Sequence, residues 1–255
     1  MTEANTDSPI LVFLGPTLRQ AEAQAVLDAI YLQPASQGDI ILAAHAFRPK
    51  AMVLIDGQFE DRPAVRHKEI LWAMAQGITM IGAASMGALR AAELSAFGMI
   101  GTGLIYRWYR RWPIAADDAV AIHSGPAELG FVPLTDALVD LQRTFSALAR
   151  MKLITRNECL NLTSIAQALN FRDRSFDAVL RTVGWPRERT AELKKNIVRQ
   201  KAGDAMLALR LAPYIVEERQ KHPSNISWVA TNTFIRDLEA SGIDVNLVSS
   251  YNIKL

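Results

Sequence analysis

The sequence has a single cysteine, Cys159, among its 255 residues. One cysteine cannot form an internal disulfide or a CxxC metal clip, so the usual signs of an extracellular or zinc-ribbon protein are missing. The first nine residues are polar and acidic where a secretory signal would be basic and then apolar, and we interpret them as a frayed tail. These features predict a cytoplasmic protein.

An excess of one charge and a long uncharged apolar run are also missing. Lys and Arg together number 28 against 26 Asp and Glu, and the net charge of +2 is too small to indicate a nucleic-acid partner. The longest apolar stretch, from Ile78 to Tyr106, carries Arg90 and Glu93 near its middle, which is costly in a lipid-facing span. We therefore expect no membrane segment and no nucleic acid.

Half of the residues are hydrophobic, which is enough for a large core. Between Ile10 and Gly101, short apolar runs alternate with helix-like segments, the pattern of a mostly parallel sheet flanked by helices. The predicted strands are 10–14, 30–32, 52–55 and 78–82, and the predicted helices are 18–27, 39–47, 63–76 and 85–96. The predicted fold class is α/β.

The second half of the chain has helical periodicity. The candidate helices are 134–149, 156–169, 175–182, 187–201 and 204–218, whereas 98–130 shows no clear pattern and is assigned to the sheet domain. We predict an α/β core domain over 1–130 and a helical C-terminal region over 131–255 that packs on the core.

A serine flanked by small residues follows the fourth predicted strand. Residues 83–87 read Ala-Ala-Ser-Met-Gly, which fits a nucleophile elbow except that alanine replaces the usual first glycine. The turn would expose Ser85 as a nucleophile. The free N–H groups of Met86 and Gly87, at the start of the next helix, could stabilise an oxyanion.

A serine nucleophile needs a base, and none of the four histidines lies in a matching motif. His67 is not assigned to the site, because it is adjacent to Lys68 in the sequence and would therefore face another side of the helix. Lys68 is the better candidate, because a helix starting at Pro63 would surround it with apolar residues; these are Ala64, Val65, Leu71 and Trp72. Desolvation would favour the neutral amine. The alternative is that Lys68 extends to solvent and Ser85 only caps a helix.

Three further residues have a functional and a structural interpretation. Gly15 follows the first strand and could bring a second oxyanion donor to Ser85, or simply form a turn. Asp56 could orient Lys68 or Arg90, or cap the next turn. Arg90 could contact a terminal carboxyl group of the substrate, or pair with a glutamate three residues later on its own helix.

Residues 106–112 read Tyr-Arg-Trp-Tyr-Arg-Arg-Trp. This mixture of aromatic and basic groups suits a protein interface or single-stranded nucleic acid, and we favour the protein interface because these residue types serve as interface hot spots. In the structural alternative the aromatics belong partly to the core, and the arginines pair with residues such as Asp117 and Asp118.

Two blocks of sequence resemble the core of TfuA-like proteins. One is residues 82–94, GAASMGALRAAEL, and the other is residues 63–71, PAVRHKEIL; the similarity also includes Phe13-Leu14-Gly15-Pro16 and Ile55-Asp56-Gly57, and covers roughly residues 10–123. The resemblance implies a protein that assists a YcaO enzyme in exchanging a peptide amide oxygen for sulfur. It also implies a serine and lysine pair, here Ser85 and Lys68, that hydrolyses a thiocarboxylated ThiS-like sulfur-carrier protein.

This chemistry requires no metal and no organic cofactor. The expected function is a hydrolase that releases sulfide from the carrier for its YcaO partner during backbone thioamidation. Two other functions stay open: a non-catalytic adaptor that recruits the peptide to the YcaO enzyme, and a serine hydrolase of small esters or thioesters.

Overall fold

The computed structural model of the chain describes residues 8–59, 62–222 and 227–251, so most of the predicted N-terminal tail lies outside the described residues. Within these ranges, five parallel strands form one sheet with the order β2-β1-β3-β4-β5. The strands are β1 (Ile10–Phe13), β2 (Ile30–Leu32), β3 (Ala51–Leu54), β4 (Thr79–Ala83) and β5 (Ile100–Thr102). The predicted α/β class is confirmed.

A helix follows each strand. These helices are α1 (Gln20–Gln24), α2 (Asp39–Phe47), α3 (His67–Ala75), α4 (Met86–Leu94) and α5 (Gly103–Arg111). The later helices are α6 (Leu138–Arg150), α7 (Arg156–Ala168), α8 (Phe176–Val183), α9 (Arg187–Lys194), α10 (Gln200–Lys221), α11 (Asn232–Ala240) and α12 (Asn246–Ser250). In the described ranges, no helix combines the length and the hydropathy that a membrane crossing requires.

The central strands are apolar because helices cover both faces of a parallel sheet. Every residue of β1, β3 and β4 is buried. Strand β2 lies on one side of β1, and β3 lies on the other side. The direction in which successive strands are added to the sheet therefore reverses between β1 and β3. Sites in such sheets form beyond the carboxyl ends of the strands, near this reversal.

The fifth strand was not predicted, because its middle residue is Gly101 and a glycine weakens the strand pattern. The structure explains the glycine: a Cβ at this position would lie 2.1 Å from Cδ2 of the Tyr106 ring. The aromatic ring of α5 thus packs directly on the backbone of β5.

Helix α3 begins at His67, four residues later than predicted from Pro63. At this start the Glu69 carboxyl group accepts a hydrogen bond from the Arg66 N–H at 2.7 Å, which is one half of a capping box. Ala64 and Val65 therefore precede the helix and do not share a face with Lys68.

The chain forms two compact units, Met1–Pro113 with Asp204–Leu255, and Ile114–Gly203. The domain boundary predicted at residue 130 falls inside the second unit, and the described residues from Asp204 onward cluster with the sheet. In the first unit, the Trp72 indole N–H donates to the Val248 carbonyl at 2.9 Å, and the Tyr251 ring packs edge-on against Trp72. In the second unit, the buried Arg174 side chain forms an ion pair with Asp118 at 2.7 Å.

Candidate active site at the carboxyl edge of the sheet

The link between β4 and α4 is a tight, strained turn. Ala84 has a φ of +64°, and the Ser85 N–H donates to the Ala83 carbonyl at 2.7 Å. A hydrogen bond across one residue of positive φ defines a γ-turn of the rare, strained kind. Strain of this type concentrates at functional sites, where the surrounding structure must hold it in place.

Close packing of α4 on β3 holds the turn. A Cβ on Gly87 would lie 1.7 Å from the Leu54 carbonyl oxygen, so only glycine permits this approach. The Gly87 N–H donates to the Ile55 carbonyl at 3.1 Å. That N–H is therefore occupied, and the expectation that Gly87 supplies an oxyanion donor does not hold in this conformation. Among the described residues, none accepts a hydrogen bond from the Met86 N–H.

Ser85 occupies the N-cap position of α4, but its side chain makes no capping hydrogen bond. Its exposed fraction is 8%, so the side chain is buried and the expectation that the turn exposes it is wrong. Because a simple capping serine would bond to the first turn of the helix, the capping alternative does not describe this side chain. The hydroxyl has no hydrogen-bond partner in the part of the chain that the structure describes.

Lys68 is only partly buried, which corrects the expected apolar environment. It lies in the first turn of α3, and its Nζ is 3.5 Å from the Val229 carbonyl oxygen. The Trp228 indole N–H donates to the Lys68 carbonyl at 2.9 Å, so residues 228–229 cross the start of the helix at this lysine. No hydrogen bond joins Lys68 to Ser85 in the described ranges.

Asp56 organises the edge where the strand order reverses. This residue lies just after β3 and is 2% exposed. Its carboxylate accepts hydrogen bonds from the Gly15 N–H at 2.9 Å, the Thr17 N–H at 3.2 Å and the Thr17 hydroxyl at 2.6 Å. Asp56 therefore holds the loop after β1, and it orients neither Lys68 nor Arg90 as expected. The Gly15 N–H is occupied and is not a free oxyanion donor.

Arg90 has the structural role that the sequence offered as an alternative. Its Nη1 is 2.7 Å from Glu93, and its Nε donates to the Val65 carbonyl at 3.0 Å. His67 adds a contact from its Nε2 to Glu93 at 2.7 Å. Burial raises the pKa of Glu93, but the hydrogen bond from His67 and the charge of Arg90 outweigh it and leave the pKa below its ordinary value. This cluster ties α3 to α4.

Glu69 is the important residue that the sequence analysis missed. Its carboxylate is fully buried and accepts hydrogen bonds from the Gly38 N–H at 2.9 Å, the Ile40 N–H at 3.3 Å and the Arg66 N–H at 2.7 Å, which joins the starts of α2 and α3. Burial raises the pKa of Glu69 to about 8 against the lowering effect of these donors. The capping spacing from Arg66 to Glu69 was the only local signal, because the other donors are distant in sequence.

Residues able to hold a metal do not cluster in the described ranges, where no group of three or more His, Cys, Asp or Glu side chains has a suitable arrangement. The chemistry of this edge is that of a hydroxyl, an amine some distance away, and one open backbone N–H. Together with the fold, these groups define a parallel α/β protein whose distinctive element is a serine on a strained strand-to-helix turn.

The sequence model described as TfuA-like protein matches residues 56–175. This match confirms the resemblance to TfuA-like proteins over these residues. The matched region contains Asp56, Lys68, Ser85 and Arg90, but it begins after Gly15 and extends beyond the range estimated from the sequence. No curated protein shows significant similarity to the chain.

Proposed function

We propose that the protein is a hydrolase that releases sulfide from a thiocarboxylated ThiS-like carrier protein and thereby assists a YcaO enzyme in peptide or protein backbone thioamidation. The observation that carries this proposal is the strained turn at Ala84, which holds Ser85 at the end of β4 beside the open Met86 N–H. A serine without a capping bond at the start of a helix is available to attack a carbonyl carbon.

In the proposed reaction, the Ser85 Oγ forms a bond to the thiocarboxylate carbon of the carrier while Lys68 takes the hydroxyl proton. Lys68 returns this proton to the sulfur as the carbon–sulfur bond breaks, so hydrosulfide leaves and the carrier remains as an ester on Ser85. Water cleaves this ester, so the carrier ends with an ordinary carboxylate and the serine is regenerated. The Met86 N–H supplies one donor to the oxyanion that forms in each step.

Lys68 must leave the Val229 carbonyl to take part in this reaction. The 3.5 Å contact is long and its surroundings are exposed, so breaking it costs little. Catalytic hydrogen bonds are often absent before substrate binds and form only in the complex.

The adaptor function is the second candidate, and one observation favours it: the Lys68 amine and the Ser85 hydroxyl make no hydrogen bond in the described chain. An adaptor would recruit the peptide to the YcaO enzyme without any covalent step. Hydrolysis of small esters or thioesters is the third candidate. A comparison of small esters and thioesters with the carrier thiocarboxylate as substrates distinguishes this function from sulfide release.

The test measures sulfide release from purified thiocarboxylated carrier by wild type, Ser85→Ala, Lys68→Met and Ser95→Ala. Ser95 lies just past the end of α4, so its variant controls for the loss of a hydroxyl. We expect the first two variants to lose at least about a hundredfold in rate, as removal of a nucleophile or its base does, and Ser95→Ala to keep the wild-type rate. Full sulfide release by folded Ser85→Ala would contradict the hydrolase and leave the adaptor.

A further inference from the structure

Helix α5 presents a basic and aromatic face that the proposed reaction does not use. Arg107, Arg110 and Arg111 are exposed and are spaced three and four residues apart, so they form one stripe along the helix. The opposite face anchors the helix through the buried Ile105 and Tyr109.

The stripe has no acidic counterpart among the described residues. Arg110 bonds to the Ser95 hydroxyl, and the Arg111 guanidinium lies 5.6 Å from the centre of the Trp112 ring. Asp118, which the sequence analysis offered as a partner for these arginines, instead pairs with Arg174. The positive charge of α5 is therefore uncompensated.

Two large apolar side chains flank the arginines. Trp112 is 52% exposed, and Phe97 is 56% exposed. Phe97 belongs to the same short 3-10 turn as Ser95, whose hydroxyl accepts the hydrogen bond from Arg110. Arginines in the last turn of a helix also stabilise its dipole, but that effect does not account for Arg107 or for the exposed rings.

We propose that this α5 face, formed by Phe97, Arg107, Arg110, Arg111 and Trp112, is a docking site for an acidic amphipathic helix of a protein partner. The uncompensated arginines select carboxylates, and the exposed rings select an apolar stripe between them. Nucleic acid is the poorer fit, because the arginines span only about 6 Å along the helix axis and the chain carries a net charge of only +2.

Fluorescence anisotropy on the full-length chain tests the inference with a labelled 18-residue amphipathic helical peptide of Glu, Leu and Ala. The same peptide with Gln in place of Glu reports the contribution of charge, and a labelled oligo-dT reports nucleic-acid binding. The test variant is Arg107→Glu with Arg111→Glu. The control is Arg187→Glu with Arg199→Glu, which reverses two exposed arginines elsewhere.

We expect the acidic peptide to bind the α5 variant at least about tenfold more weakly than wild type, and the control variant to bind like wild type. Trp112→Ala should weaken binding by about fivefold. The inference fails if wild type does not bind the acidic peptide, if the Gln peptide binds equally well, if the two double variants behave alike, or if oligo-dT binds more tightly than the peptide. Matching circular dichroism spectra establish that each variant is folded.

Discussion

Gly87→Ala tests whether the packing of α4 on β3 creates the serine turn. The new Cβ would lie 1.7 Å from the Leu54 carbonyl oxygen and 2.5 Å from its carbon. An ordinary carbon–oxygen contact is about 3.3 Å, so the start of α4 must move by about 1.6 Å. This shift also breaks the hydrogen bond from the Gly87 N–H to Ile55.

The expected cost is about 1–3 kcal/mol for overpacking and about 1 kcal/mol for the lost hydrogen bond, offset by about 1 kcal/mol of alanine helix propensity. The free energy of unfolding in urea should therefore fall by about 1–3 kcal/mol. Gly203→Ala is the matched control, because Gly203 lies in α10 and a Cβ there meets nothing within 4 Å.

Gly203→Ala should leave stability unchanged or raise it by up to about 1 kcal/mol. Gly87→Ala should also release sulfide more slowly than wild type, because the displaced helix no longer holds Ser85. If Gly87→Ala is as stable as the Gly203→Ala control, the helix is not seated on β3 as described and the account of the turn is wrong.

Three other substitutions test the surroundings of the turn. Ala84→Gly removes the cost of a positive φ, about 1–2 kcal/mol, at an entropic cost of about 0.5–1 kcal/mol. Stability in urea should therefore rise by up to about 1.5 kcal/mol, and a loss of stability would exclude a strained turn. Asp56→Ala should lower stability by about 2–3 kcal/mol and speed hydrogen exchange at the Gly15 and Thr17 amides, because both N–H groups bond the same carboxylate oxygen and lose that acceptor; unchanged exchange would contradict the role of Asp56. Glu69 has an ordinary pKa of 4.5 and a folded pKa of about 8. As pH rises, the unfolded chain loses this proton before the folded chain does, so the free energy of unfolding of wild type should fall by up to about 5 kcal/mol between pH 4.5 and 8. Glu69→Gln should make this fall smaller. Identical pH profiles of wild type and variant would contradict the raised pKa of Glu69.

The sequence was sufficient to predict the elements built from local pattern. Buried parallel strands appear as short apolar runs, and the small residues around Ser85 indicate a tight turn because larger side chains would clash there. Met86 and Gly87 were both expected as oxyanion donors for the same local reason. Only the hydrogen bond to Ile55, which directly follows the neighbouring strand β3, shows that the Gly87 N–H is occupied.

The environment of Lys68 could not be predicted, because it depends on where α3 begins. The apolar neighbours counted at Ala64 and Val65 belong to the segment before the helix. The partner of the amine, Val229, lies 161 residues further along the chain. Asp56 likewise bonds a loop about 40 residues away, which no spacing rule in a single sequence reveals.

The reaction also makes a covalent prediction that depends on Ser85 alone. Acid quenching of the protein during turnover of the thiocarboxylated carrier should trap the carrier as an ester on Ser85. Intact-mass and peptide-mass spectrometry should detect this ester as the sum of the masses of the protein and the thiocarboxylated carrier, less the mass of hydrogen sulfide. The account predicts this adduct on the peptide that contains Ser85 and none in Ser85→Ala. Rapid sulfide release with no adduct under any quench, and with the same rate in Ser85→Ala, would contradict it.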